Sequence, residues 1–169
     1  MKKVLCFLLA LCCFAGILGC NSEDTTAENV VKVYYQREKP IFGTADGVIA
    51  DISMDATGHE NEHTYLLNQY LKSVPAEGFV SPYPTGVFLV GFKVEGLTAK
   101  VVLSDRIADL TGMDLTIALI CMAQTVMSMT GSHEVIISAT TKQLDGQNFV
   151  TLNRDSYLLL DNSGAVPNE

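Results

Sequence analysis

The sequence contains no tryptophan and little positive charge, and it lacks the glycine-rich loops that bind phosphates. Its 169 residues include 11 Lys and Arg against 19 Asp and Glu, so the formal net charge is −8. Phosphate backbones and anionic headgroups repel such a chain, which makes nucleic acid and a polybasic membrane surface poor candidates as partners. The motifs G-x-x-x-x-G-K, G-x-G-x-x-G and G-x-S-x-G do not occur. The sequence therefore indicates neither a nucleotide site nor a serine-hydrolase elbow.

The composition is that of a folded domain. Hydrophobic residues make up 48% of the chain and the mean hydropathy is +0.25, which excludes a disordered or collagen-like chain. The length suits one ordinary domain and leaves little room for a second. The acidic charge and the missing tryptophan argue against a dedicated carbohydrate module.

The first 19 residues have the parts of a secretory signal. Lys2 and Lys3 provide the basic start, residues 4–18 form an almost unbroken apolar run, and small residues follow. A run of about fifteen residues is short for a bilayer span, which needs ~20. We therefore predict export with removal of residues 1–19.

The end of this signal resembles a bacterial lipobox. Residues 17–20 (ILGC) match its order of two apolar residues, a small residue and Cys. The resemblance implies a diacylglyceryl group on the Cys20 thiol and cleavage after Gly19, whereas the alternative is an ordinary signal peptide cut near residues 16–19. Residues 20–29 are polar and are predicted to tether the domain to the membrane through the lipid, on the extracytoplasmic face.

The five cysteines leave one free thiol in the mature chain. Cys6, Cys12 and Cys13 are removed with the signal, and Cys20 carries the lipid. Only Cys121 remains, so an intrachain disulfide is excluded. Its apolar neighbours predict a buried core thiol rather than a nucleophile.

Hydrophobic periodicity predicts two helices among five main strands. The strands are expected over residues 30–35, 48–54, 87–94, 98–104 and 133–140, with one or two edge strands between residues 149 and 160, and the helices over residues 57–74 and 113–129. Thr57 and Glu60 have the spacing of a capping box, and Pro75 ends the first helix. The second helix is apolar nearly all round and ends at Gly131, which predicts a central buried helix.

This order, β-β-α-β-β-α-β with hairpins between neighbouring strands, predicts an α+β fold. We expect a two-layer sandwich in which two helices cover one face of a mainly antiparallel or mixed sheet. Residues 30–169 are predicted to form a single domain, with a core at about residues 30–140 and a C-terminal extension at residues 141–169.

Several segments together carry a family resemblance. They are residues 77–86 (EGFVSPYPTG), the hairpin at residues 95–104 (EGLTAKVVLS), and residues 123–129 leading into the strand at 135–137. This succession resembles the GerMN domain of exported lipoproteins tied to sporulation and spore germination, although residues 138–144 delay the turn that usually follows the last core strand. The resemblance implies an envelope domain that binds wall material or other envelope proteins, with no established catalytic residue.

The string at residues 59–63 (HENEH) has the H-E-x-x-H form of zinc peptidases. On a helix, His59 and His63 would lie one turn apart, with Glu60 as a base. Three features favour a solvated helix start instead: Gly58 precedes the string, Glu62 puts a charge at an inner position, and Glu60 is expected to cap the helix. We predict no metal or cofactor and keep the pair of imidazoles as a weaker alternative.

The loop at residues 77–86 is the preferred binding candidate, because ligand sites favour loops held by a rigid scaffold. Phe79, Ser81 and Tyr83 are its candidate contact residues. The aromatic rings either form a surface for stacking on sugars or anchor the loop, and anchoring is the more common use.

Three functions remain open from the sequence. The leading one is a noncatalytic, lipid-anchored envelope domain that binds peptidoglycan or an envelope protein, in sporulation or germination. The alternatives are a zinc-dependent envelope hydrolase using His59, Glu60 and His63, and a structural assembly subunit without a ligand.

Overall fold

The structure is a computed structural model that describes residues 29–40, 47–73 and 75–154. The strands are β1 (Val30–Arg37), β2 (Ile49–Asp55), β3 (Phe79–Val80), β4 (Leu89–Glu95), β5 (Thr98–Leu103), β6 (Glu134–Ala139) and β7 (Val150–Asn153). The helices are α1 (His63–Lys72) and α2 (Gly112–Thr130), with a short 3₁₀ helix at Asp105–Asp109. The predicted signal peptide, Cys20, most of the tether, Val74 and the tail beyond Arg154 lie outside the described residues.

The strands form two sheets. One is antiparallel with the order β2-β1-β3, and the other has the order β4-β5-β6-β7, in which β5 and β6 are parallel and the remaining pairs antiparallel. The α+β prediction is confirmed, and each of the five main strands lies within two residues of its expected position. We expected a single sheet, and that prediction is wrong because the strands form two.

The part of the β1 edge that β3 leaves unpaired explains why the sheets stay separate. At Tyr34 the edge facing away from β2 is covered by helix side chains: the Tyr34 N–H donates to Thr125 Oγ1 at 2.9 Å, and Tyr70 Oη donates to the Tyr34 carbonyl at 2.5 Å. Since both backbone groups are satisfied, no strand of the second sheet pairs there. The helices take the place of a strand at this edge.

The second helix is the centre of the core. It contacts β1 of the first sheet and β5, β6 and β7 of the second. It is long and apolar enough to cross a bilayer, yet most of its apolar window is buried inside the domain. Gly131 ends it in the left-handed conformation (φ +69°), with its N–H donating to the Met127 carbonyl. The prediction of a central buried helix is therefore confirmed.

The first helix begins six residues later than predicted. Gly58 is in the left-handed region (φ +79°), so the chain turns there instead of winding into a helix. Asp55 Oδ1 accepts the Thr57 N–H at 2.8 Å, and Glu60 Oε1 accepts the Gly58 N–H at 3.0 Å. These bonds stabilise a turn, and α1 starts at His63 without a side-chain cap. The capping-box prediction is wrong for that reason, although the predicted buried face of Leu66, Leu67 and Tyr70 is confirmed.

A carboxylate ties the loop after β6 to the 3₁₀ helix. Asp105 accepts hydrogen bonds from Thr141 N (2.7 Å), Thr141 Oγ1 and Lys142 N (3.1 Å). These donors lower the pKa of Asp105 from 3.8 to about 2. Because its pKa is lower in the folded state, its stabilising effect is complete above pH 3.8 and is lost as the pH falls through about 2.

We therefore expect Asp105→Asn to flatten the decline in unfolding free energy between pH 4 and pH 2. Urea unfolding curves followed by circular dichroism across this range measure the decline. Glu77→Gln is the control, because Glu77 is an exposed loop carboxylate. A decline as steep in Asp105→Asn as in the unsubstituted chain would contradict the assignment.

Candidate functional site

Tyr83, one of the predicted contact residues, is buried. Its side chain is 9% exposed, and its hydroxyl lies 3.0 Å from Tyr70 Oη and 3.1 Å from the Ala118 carbonyl. Tyr70 Oη in turn donates to the Tyr34 carbonyl. Burial raises the pKa of both buried tyrosines, so their hydroxyls stay protonated and act as donors. Tyr83 therefore anchors the loop to both helices, and its ring offers no surface to a ligand.

Phe79 and Ser81 lie nearer the surface. The half-buried Phe79 ring packs under the Arg37 guanidinium, 5.5 Å from its centroid. Ser81 is exposed, and its Oγ accepts the Tyr83 N–H at 3.3 Å. Both have structural roles in the loop, and their part in binding stays a prediction.

The H-E-x-x-H residues do not share a helical turn. His59 and Glu60 precede α1, and His63 is its first residue. The His59 ring stacks on Tyr65 with centroids 3.8 Å apart, while Glu60 Oε1 accepts from Gly58 N and from Asn29 Nδ2. In the described part of the chain, no group of three or more His, Cys, Asp and Glu side chains could hold a metal ion. The geometry of a zinc-peptidase helix is thus not formed.

The thiol of Cys121 is also poorly placed to react. Cys121 is 0% exposed in α2, and burial raises its pKa far above the usual value. A thiol that stays protonated is a poor nucleophile. The predicted core position of Cys121 is therefore confirmed.

An open groove lies between α1 and β4 in the described part of the chain. Its volume is about 870 Å³. Its walls carry exposed polar groups of α1 and the chain preceding it, and the partly apolar face of β4. The lining residues are Asn61, Glu62, His63, Thr64, Tyr65, Asn68, Gln69, Lys72, Phe92, Lys93 and Val94. We call this feature the α1/β4 groove.

The register of the second sheet explains the apolar side of the α1/β4 groove. Phe92 pairs with Val101, and Val94 pairs with Ala99. Val101 and Ala99 are buried, so Phe92 and Val94 point to the core side of the sheet. Near the edge the helical layer covers them incompletely, and Val94 remains 38% exposed. The groove is thus a stretch of core-facing sheet that α1 leaves open.

The opposite wall supplies hydrogen-bonding groups. Asn61, Asn68 and Gln69 present side-chain amides, which carry donors and an acceptor, and Asn68 Nδ2 already donates to the Thr64 carbonyl at 2.9 Å. The Tyr65 ring is 40% exposed, and Lys72 follows at the C-terminal end of α1. Amides, an aromatic ring and ammonium groups together suit a ligand with hydroxyl, amide and carboxylate groups.

Comparison with solved structures relates this architecture to known domains. The tandem GerMN domains of the sporulation protein GerM from Bacillus subtilis match with a TM-score of 0.50 and 17% identity, over 72% of this chain and 43% of that one. The chain has a GerMN fold. The first GerMN domain of the same protein also matches, with a TM-score of 0.49 and 12% identity, over 70% of this chain and 90% of that one.

This likeness is one of fold. No protein-family profile matches the sequence, and no curated protein matches it. The chain spans less than half of the tandem GerM structure. The fold expected from the resemblance of residues 95–104 is therefore confirmed, and a shared fold does not by itself fix the function.

Proposed function

We propose that this chain is a noncatalytic, lipid-anchored domain of the cell envelope that recognises a wall polymer or an envelope protein through the α1/β4 groove. The observation that carries the proposal is the composition of that groove. It combines an exposed aromatic ring, three amides and two lysines on a chain whose net charge is −8. The lipobox-like residues 17–20 support the location.

The absence of catalysis is supported by the state of the reactive groups. Glu60 is held by a turn, Cys121 is buried, and His59 lies outside α1. Glu60 and Cys121 are therefore poorly placed to act as the base or nucleophile of a hydrolase, and His59 does not share a helical turn with His63. The zinc-hydrolase alternative therefore has less support than recognition.

The setting of sporulation comes from the related fold. The matching Bacillus subtilis protein is described as a sporulation protein. We propose the same setting for this chain, with peptidoglycan or an envelope protein as the partner. A role in germination belongs to the same proposal.

The groove is favoured over the loop because Tyr83 is buried. We expect Tyr65→Ala and Lys72→Gln each to weaken binding to purified peptidoglycan by roughly fivefold, the loss of about 1 kcal/mol. Cosedimentation of the mature chain with insoluble peptidoglycan measures this. Phe79→Ala tests the loop in the same assay, and Phe149→Ala is the control, since Phe149 is 56% exposed and does not line the groove.

The pattern of cosedimentation results identifies the binding surface. Weaker binding in the two groove variants alone supports the proposal. Weaker binding in Phe79→Ala alone would move the site to the loop at residues 77–86. If the unsubstituted chain does not sediment with peptidoglycan, the wall polymer is not the ligand, and the protein partner is left.

A further inference from the structure

Strand β4 has one unpaired edge in the described part of the chain. It is the first strand of the order β4-β5-β6-β7 and pairs only with β5. The two strands meet through the two-residue loop Gly96-Leu97, closed by the pair Glu95 and Thr98. A two-residue hairpin closes on a hydrogen-bonded pair. Along an antiparallel ladder such pairs alternate with pairs whose N–H and C=O groups point away from the partner strand, and Phe92 and Val94 belong to the second kind. The N–H and C=O groups of Phe92 and Val94 therefore point away from β5.

The unpaired edge and the α1/β4 groove belong to the same residues. The side chains of Phe92 and Val94 line the groove, and their backbone groups face outward along the edge. A strand added beside β4 would bond to these backbone groups and place alternate side chains in the groove, beside α1. An extended polypeptide uses both features at once.

The charges favour an acidic segment. Lys72 lines the groove, and Lys93, which alternates with Phe92 and Val94 and therefore lies on the opposite face of β4, contributes to its rim. Glu62 is the single carboxylate of the lining. Lys72 has no ion pair among the described residues, and Lys93 pairs with Glu95 at 2.6 Å on the exposed surface, where such pairs exchange at little cost. The net charge of −8 acts at longer range and is screened beyond ~8 Å at physiological ionic strength.

Self-pairing of β4 is less favourable. In an antiparallel pair of two copies centred on Phe92, residue 93 of one copy lies diagonally opposite residue 93 of the other. The two Lys93 ammonium groups would then repel each other across the new pair. A bulge between Leu89 and Gly91 further shortens the flat part of the edge.

The N-terminal tether limits how far from the membrane the edge of β4 can bind a partner. Asn29 Nδ2 donates to Glu60 Oε1 at 2.7 Å, so the tether enters the domain next to the end of the groove that begins at Asn61. Nine Cα–Cα steps lead from Cys20 to Asn29, and fully extended they span at most ~32 Å. A head held by lipid at Cys20 keeps this end of the groove near the bilayer.

We propose that β4 accepts an extended acidic segment of a membrane-proximal protein partner as an added strand, with its alternate side chains in the α1/β4 groove. This inference rests on the proposed function, because the distance limit requires the lipid at Cys20. It specifies the protein partner by its chemistry and its position.

The test uses the mature lipoprotein in nanodiscs and two fluorescent peptides. One nine-residue peptide alternates Val with Glu, and the matched peptide alternates Val with Lys; fluorescence anisotropy measures their binding. We expect at least tenfold tighter binding of the Glu peptide. Val94→Pro is expected to weaken it roughly tenfold, because Pro removes an outward N–H that β5 does not use. Val94→Thr keeps that N–H and is expected to bind more tightly than Val94→Pro, whereas Phe149→Ala, which lies outside the groove, is expected to bind normally.

The other results overturn the inference in distinguishable ways. Equal binding of both peptides, or unchanged binding by a folded Val94→Pro chain, contradicts strand addition of an acidic segment. If Val94→Pro fails to fold, Lys72→Glu takes its place, and unchanged affinity there contradicts the charge argument. Absence of Glu-peptide binding refutes this inference, and the proposed function then stands only if the chain binds peptidoglycan or an extracted envelope protein. A dimer in sedimentation equilibrium that Val94→Pro dissociates identifies a second copy as the occupant.

Discussion

Replacing Tyr70 with Phe is expected to lower the free energy of unfolding by about 2 kcal/mol. The substitution keeps the ring and removes a hydroxyl that donates to the Tyr34 carbonyl and lies 3.0 Å from the Tyr83 hydroxyl. The carbonyl at the covered edge of β1 would then be buried without its donor, and that desolvation is the main cost. Thermal unfolding should shift down by roughly 4–8 °C.

Two matched variants separate this effect from the loss of any hydroxyl. Tyr65→Phe changes an exposed ring and is expected to leave stability within ~0.5 kcal/mol. Tyr83→Phe is expected to cost less than Tyr70→Phe, and the double variant less than their sum, because the two hydroxyls share one hydrogen-bond network. Urea unfolding measures the four variants and the unsubstituted chain. Equal effects of Tyr65→Phe and Tyr70→Phe would contradict this role.

Replacing Cys20 with Ala is expected to abolish lipid attachment completely. The thiol is the predicted acceptor of the diacylglyceryl group, and each buried methylene contributes ~0.8 kcal/mol to anchoring. Metabolic labelling with an alkyne fatty acid, followed by immunoprecipitation, reports the attachment. The expected result is full labelling of the unsubstituted chain and none of Cys20→Ala.

The matched control is Cys121→Ala. Cys121 is the other cysteine of the predicted mature chain and is buried in α2, so its loss should leave the labelling unchanged. Label that persists in Cys20→Ala, or disappears in Cys121→Ala, would overturn the lipobox interpretation.

The features that the sequence predicted well depend on local patterns. The helix α2 is apolar on nearly all sides, so one sheet cannot cover its whole surface, and the structure buries it between two sheets. The hairpin at Gly96 follows from a permissive residue between two β-branched segments, and its φ is +62°. Such patterns need no knowledge of distant contacts.

The start of α1 was mispredicted because two local signals competed. Thr57 and Glu60 fit a capping box, but Gly58 between them permits a left-handed turn that uses the same carboxylate. The turn also gains the bond from Asn29, which is 31 residues away in sequence. The bond from Asn29 comes from outside the segment, so the spacing of residues 57–60 alone could not predict it.

The candidate site was missed for a similar reason. The groove exists because α1 stops short of covering the β4 edge, a property of how two elements pack rather than of either sequence. The available signal was the alternation of Phe92 and Val94 with exposed Lys93, which marks a core face on a strand with unpaired edge groups. Tyr83 was misjudged because its partners, Tyr70 and Ala118, come from two different helices.

The most direct test of the central claim is hydrogen–deuterium exchange of the mature chain. Exchange is measured alone, with soluble peptidoglycan fragments, and with detergent-extracted envelope proteins of the producing cell. We predict slower exchange at residues 61–72 and 91–95 with at least one of these ligands, and no change at residues 140–147. Protection confined to residues 77–86, or protection of no residue with either ligand, would contradict the α1/β4 groove as the recognition surface.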